Sequence, residues 1–123
     1  MSQTTIVVLS DPSGGEESFG RVFNALAAAY DFKRQNRAVQ IVFQGTGTRW
    51  PALLARADHP AHALYKAVED TIGGASAGCA AAFDARDQLE REDVAFLTTN
   101  PIPGTPGLPS VAQFADAGPV LTF

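Results

Sequence analysis

A single cysteine, Cys79, is the chain's whole supply of thiol, so no intrachain disulfide can form. Nothing then argues for a secreted, disulfide-built scaffold, and a reducing compartment is the expectation. Histidine is almost as scarce. His59 and His62 stand three apart across Pro60 with Asp58 beside them. That is not a recognised ligand spacing and is one donor short of a structural metal site, so no metal is expected. Basic charge is also sparse, with nine Lys and Arg against thirteen Asp and Glu and a net charge of −4. A chain without a basic surface is a poor partner for nucleic acid. Long apolar runs are missing too. Ile6-Val7-Val8-Leu9 stops at Asp11-Pro12, and Met1 to Thr5 carries no basic residue. Neither a membrane span nor a signal peptide fits there, and a cytoplasmic protein is expected.

What is present suits one domain over residues 1–123, since 46% of the residues are hydrophobic and a chain of this size hides about two-thirds of its unfolded surface. Thr5 to Leu9 is β-branched without polar alternation, the pattern of a strand covered on both faces. Asp11-Pro12-Ser13-Gly14-Gly15 breaks it, and Ser13 with Glu16 predicts a capping box. The following helix carries Phe19, Val22, Phe23, Leu26, Ala27 and Tyr30 at helical spacing, which predicts one buried stripe centred on Phe23 and Leu26. Glu16 and Glu17 at its start and Lys33, Arg34 and Arg37 at its end match the helix dipole.

Ala38 to Phe43 reads as a second strand. The loop after it, Gly45-Thr46-Gly47-Thr48-Arg49-Trp50, places Trp50 where a dinucleotide fingerprint needs glycine and lacks the Gly-Lys-Ser/Thr of a Walker loop. Both nucleotide readings fail, and no cofactor is implied. Gly45, Gly47 and Arg49 remain candidates for holding a small anion at a helix start, against a plain strand-to-helix turn. Helices are expected over Trp50 to Ala57 and again over the stretch carrying Ala61, Leu64, Tyr65 and Val68. Ile72 to Ser76 is the third strand despite its glycines, Ala80 to Leu89 a helix, and Val94 to Thr98 a fourth strand. Residues 99–109 hold four prolines and read as a long stiffened loop, either a lid or subunit arm or an ordinary surface excursion. Ser110 with Gln113 predicts a second capping box, Gly118 a helix stop, and Val120 to Phe123 a last strand. Strands alternating with helices in this order describe an open parallel α/β sheet with helices on both faces.

Gly73 to Phe83 is a run of very small side chains around Cys79. If a strand ends near Ser76 and a helix starts near Cys79, the sulfur is reachable and lies beside unpaired helix amides, which favour a thiolate. Small residues there also let backbone or ligand come close. The Asp-Pro loop after strand one, the glycine pair after strand two, Ser-x-x-Cys-Ala-x-Ala-Phe at Ser76 to Phe83, and Pro-Ser-x-x-x-Phe with Gly-x-Val-Leu-Thr-Phe at Pro109 to Phe123 together resemble the DsrE/DsrF-like family, which includes YchN-type and sulfur-relay proteins.

The resemblance implies a three-layer α/β/α fold, a five-stranded parallel sheet of order 4-3-2-1-5, and homo-oligomers, commonly trimers or hexamers. It also implies a cysteine after the third strand that accepts a persulfide from a donor protein and yields it to an acceptor, and Cys79 stands at that position. Members can carry Cys-x-x-Cys here, whereas this chain has Ser76 in the first place. Two functions stay open on this reading. One is a sulfur carrier in which Cys79 is the reacting thiol, Ser76 bonds the sulfur, and Arg49 holds a donor's charge. The other is a non-catalytic oligomeric module that binds a small ligand or partner at the strand ends, with Cys79 kept as a small buried residue.

Overall fold

The β-branched run near the N-terminus becomes an interior strand of the sheet, one in from its edge. The computed structural model describes residues 2–123. In it β1 (Thr4–Val8) is buried along its whole length, because it pairs on one side with β2 (Val39–Phe43) and on the other with β5 (Val120–Thr122). Ile6 stands between Ile41 and Leu121 in the parallel register. β3 (Ile72–Ser76) follows β2, and β4 (Phe96–Leu97) closes that edge. The sheet is five-stranded, all parallel, in the order β4-β3-β2-β1-β5, as expected.

The helices are α1 (Gly15–Arg34), α2 (Trp50–Leu54), α3 (His62–Val68), α4 (Ala77–Ala82), α5 (Arg86–Arg91) and α6 (Val111–Ala117). Strands β1 to β4 step in one direction, so right-handed crossovers lay α1 to α5 on one face, and the return to β5 carries α6 to the other. The core matches that placement. Ile6, Val8, Ile41, Phe43 and Ala75 of the sheet form one cluster with Val22 and Leu26 of α1, Leu54, Tyr65, Ala80 and Leu89. No helix among the described residues is long and apolar enough to cross a membrane.

The phase of α1 differs from the expected stripe. Its buried residues are Val22, Ala25, Leu26 and Ala29, while Phe23 and Tyr30 are 41% and 40% exposed. Alanines against the sheet let the helix lie close to it, which displaces the large rings to the flank. There Phe19 packs its ring 5.9 Å from Phe23 and equally far from His59.

Other boundaries move for local reasons. Ser13 does not cap α1, whose N-cap is Gly14 without a side-chain bond; instead Ser13 donates from its backbone N–H and its hydroxyl to Asp11 Oδ1, each at 2.9 Å. Such local bonding is the usual competitor of a cap. The helix expected over Ala80 to Leu89 is two helices, because the chain turns at Asp84 in a left-handed conformation (φ 59°). The fourth strand is shorter than expected, although Ala95 already accepts from the Ala75 N–H at 2.8 Å. Of the capping box expected at α6 only the serine half forms: the Ser110 hydroxyl accepts from the Gln113 N–H, while the Ser110 N–H donates to the Thr99 hydroxyl at 2.8 Å rather than to the Gln113 side chain.

Candidate functional site

β3 delivers Ser76 to the carboxyl edge of the sheet, the edge at which open α/β folds bind ligands. Ser76 is fully buried, and its hydroxyl accepts from the Cys79 N–H at 3.2 Å, capping α4. Cys79 therefore lies in the first turn of α4, half-buried and free. The neighbouring amide is engaged as well, since the Gly78 N–H donates to the Gly107 carbonyl at 2.8 Å.

Gly107 belongs to the proline-rich loop, and this bond gives that loop its place. Asn100 and Leu108 exchange two backbone bonds of 2.7 and 2.9 Å that close the loop on itself. A Cβ on Gly78 would stand 3.2 Å from the Gly107 carbonyl oxygen and crowd the Leu108 side chain, so glycine eases the close approach of the loop to α4. The loop straps the start of α4, and the helix amides of Gly78 and Cys79 are occupied by Gly107 and Ser76 rather than open.

Of the other expected site residues, Arg49 lies at the far end of the same helix, and Gly45 and Gly47 lie against the end of β1. The chain after β2 makes a tight 3-10 turn over Gly45–Arg49, closed by the Thr48 hydroxyl on the Gly45 carbonyl at 2.8 Å. Gly45 takes a left-handed φ of 57°. Gly47 is buried against β1, where a side chain would overlap the Val8 carbonyl. Trp50 anchors the turn to the loop after β1 by donating its indole N–H to the Ser10 carbonyl at 2.9 Å. Arg49 then reaches the last turn of α4, donating from Nε to the Phe83 carbonyl at 3.0 Å with its guanidinium 5.8 Å from the Phe83 ring centre. A cation there suits the negative end of a helix. Ser76 and Cys79 thus stand together at one end of α4, with Arg49 at the other.

Arg49 has neighbours that the sequence did not single out. It shares an open cleft of about 250 Å3 with Asp11, Ser13, Asp84 and Gln88. Asp11 and Ser13 come from the loop after β1, whose Asp-Pro was noticed only as a motif; Asp84 and Gln88 sit after α4 and on α5, with no sequence signal. The two Ser13 bonds hold the Asp11 carboxyl below the usual carboxylate range, backbone N–H first and hydroxyl second, and the positive charge of Arg49 adds to them. A lowered folded value means that Asp11 favours the fold above the ordinary carboxylate range, an effect lost as pH falls through the lowered value.

The two histidines are engaged locally. His59 Nδ1 accepts from the Ala61 N–H at 3.1 Å. His62 Nδ1 lies 2.9 Å from the Leu54 carbonyl, so that nitrogen carries its proton. No group of three or more His, Cys, Asp or Glu able to hold a metal occurs among the described residues. No protein-family model, curated protein or solved structure matches the chain.

Proposed function

We propose that the chain is a DsrE/DsrF-like sulfur carrier of the cytoplasm in which Cys79 accepts sulfur as a persulfide. The observation that supports this reading most is the placing of a free, half-buried thiol in the first turn of α4, its backbone fixed by the Ser76 cap, at the carboxyl edge of the sheet. Loading is an exchange without net oxidation. The Cys79 thiolate attacks the outer sulfur of a donor persulfide, the donor's S–S bond breaks, and the donor leaves as a thiolate while Cys79 keeps the sulfur. An acceptor thiolate then attacks that terminal sulfur and returns Cys79 to its starting state. Ser76 positions the reacting residue through its backbone, and the strap of residues 99–109 sets the approach. With one cysteine per chain, any disulfide must join Cys79 to another molecule or subunit.

The direct test is the intact mass of the protein after incubation with a desulfurase that forms a protein persulfide. The parent gains one sulfur atom, mapped to Cys79, and Cys79→Ser gains none. A parent that stays unloaded contradicts the reading.

The same reading includes a homo-oligomer, a trimer or hexamer. It draws on Leu9, Val111 and Leu121, each more than a third exposed. Light scattering at micromolar concentration is expected to give a multiple of 12.9 kDa. The mass of one chain would rule the assembly out.

A second reading, a binding module for a small molecule, is favoured by the cleft between Asp11, Arg49 and Asp84. It does not involve Cys79, which is absent from the lining of that cleft.

A further inference from the structure

The loop after β1, the turn after β2 and the break between α4 and α5 bring two carboxylates and one guanidinium to a single cleft. No ion pair joins them. The ion pairs among the described residues include neither Asp11, Asp84 nor Arg49, so each is more than 4 Å from an opposite charge. Both ends of the gap are fixed by contacts of their own. Asp11 is turned back onto Ser13 by two hydrogen bonds. Arg49 is held through Nε by the Phe83 carbonyl, which leaves its terminal nitrogens uncommitted. Opposite charges kept apart in this way are organised in advance for a ligand that bridges them.

The charge pattern selects the class of ligand. A simple anion would meet Arg49 together with the repulsion of Asp11 and Asp84, and a simple cation would meet the reverse. A molecule that presents a carboxylate to the Arg49 fork and an ammonium to the aspartates satisfies both. Pro12, Ala52 and Leu53 supply an apolar wall. A volume of about 250 Å3 lies below that of sites for drug-sized ligands. We propose that this cleft binds a small zwitterion, a free α-amino acid with an apolar side chain, its carboxylate on Arg49 and its ammonium between Asp11 and Asp84. This deepens the small-molecule reading and is independent of the chemistry of Cys79.

The test is an amide-resolved NMR titration of the full chain with L-leucine, N-acetyl-L-leucine and L-leucine methyl ester, run on the parent and on Cys79→Ser. Leucine is expected to give saturable shifts confined to residues 11–13, 49–53 and 84–88, equal in the two proteins. Blocking either charge weakens binding by roughly tenfold or more, as do Arg49→Gln and Asp11→Asn. Should Arg49→Gln disturb the end of α4, the same spectra reveal it, and Asp84→Asn then takes its place. Absence of saturable shifts at the solubility limit of leucine overturns the proposal. So does an equal response to either blocked form, or undiminished binding by the charge variants. Loss of leucine binding only in Cys79→Ser would join the cleft to the thiol and contradict their independence.

Discussion

Phe43→Ala is expected to lower the unfolding free energy by about 3 to 5 kcal/mol, the range of a large aromatic removed from a packed core. Phe43 ends β2, is fully buried, and lies in the cluster that joins the sheet to α1 to α5. Its strand is held on both edges, by β1 and by β3, so the surrounding backbone has little freedom to collapse into the space left behind. That figure is a large share of the roughly 5 to 15 kcal/mol that holds a domain of this size folded. Phe23→Ala is the matched control. The same atoms are removed from a ring that is 41% exposed, and a loss of about 1 kcal/mol or less is expected. Urea denaturation of the two variants at unchanged slope separates the cases. Equal losses would mean that α1 rests on Phe23 after all.

Gly47→Ala has the second large effect, through a clash rather than a cavity. The 3-10 turn presses Gly47 onto the end of β1, and a Cβ there would overlap the Val8 carbonyl oxygen, with the Val8 carbon 2.9 Å and the Leu9 Cα 3.4 Å away. These are backbone atoms of β1 and of the residue after it, which cannot rotate aside as a side chain can. The turn is also tied from both ends, by the Gly47 N–H on the Gln44 carbonyl at 2.9 Å and by Trp50 on Ser10. Relief requires β1 and the turn to separate, and the expected cost is about 3 kcal/mol, at the upper end of the overpacking range. Arg49 lies two residues on, so the separation also moves it from the Phe83 carbonyl. A thermal midpoint equal to the parent's would show that the turn does not lie on β1 as described.

The parts of the fold that were legible in the sequence are those fixed by composition along the chain. β1 and β2 are runs without polar alternation, and only a strand buried on both faces asks for that. β3 was found by its place between helices, because Gly73 and Gly74 give it no strand preference; pairing with β2 and β4 supplies what the residues lack. The length of α1 was legible and its rotation was not. Its apolar residues occupy too much of the circumference, and a reading weighted by size chose Phe23 and Tyr30 where packing chose Ala25 and Ala29. Ser13 was compatible with a cap and with a turn, and the Asp11 carboxylate two residues back decided for the turn.

The site was legible where side chains define it and hidden where backbone does. The meeting of Ser76 and Cys79 follows from a strand running into a helix across three residues, but the Ser76 hydroxyl, expected on the sulfur, accepts from the Cys79 N–H instead. The partners that settle their surroundings are carbonyls, Gly107 on the Gly78 amide and Phe83 on Arg49, and a carbonyl has no residue type to recognise. The expectation of open helix amides beside the sulfur therefore could not anticipate the strap. Asp84 escaped notice for a related reason: its left-handed turn ends α4 one residue past Phe83, and an aspartate after alanines and a phenylalanine gives no such signal.

Carriage of sulfur requires that Cys79 both take a sulfur atom and give it up, and a chase experiment measures both steps on one sample. Protein loaded with one sulfur by a persulfide donor, then freed of donor, is mixed with an excess of a small acceptor thiol and followed by intact mass. The account predicts that the added sulfur leaves Cys79 for the acceptor as a persulfide and that the free thiol returns, ready for a second loading. A parent chain that never gains the sulfur, or that holds it on Cys79 unchanged through the chase, would contradict the account.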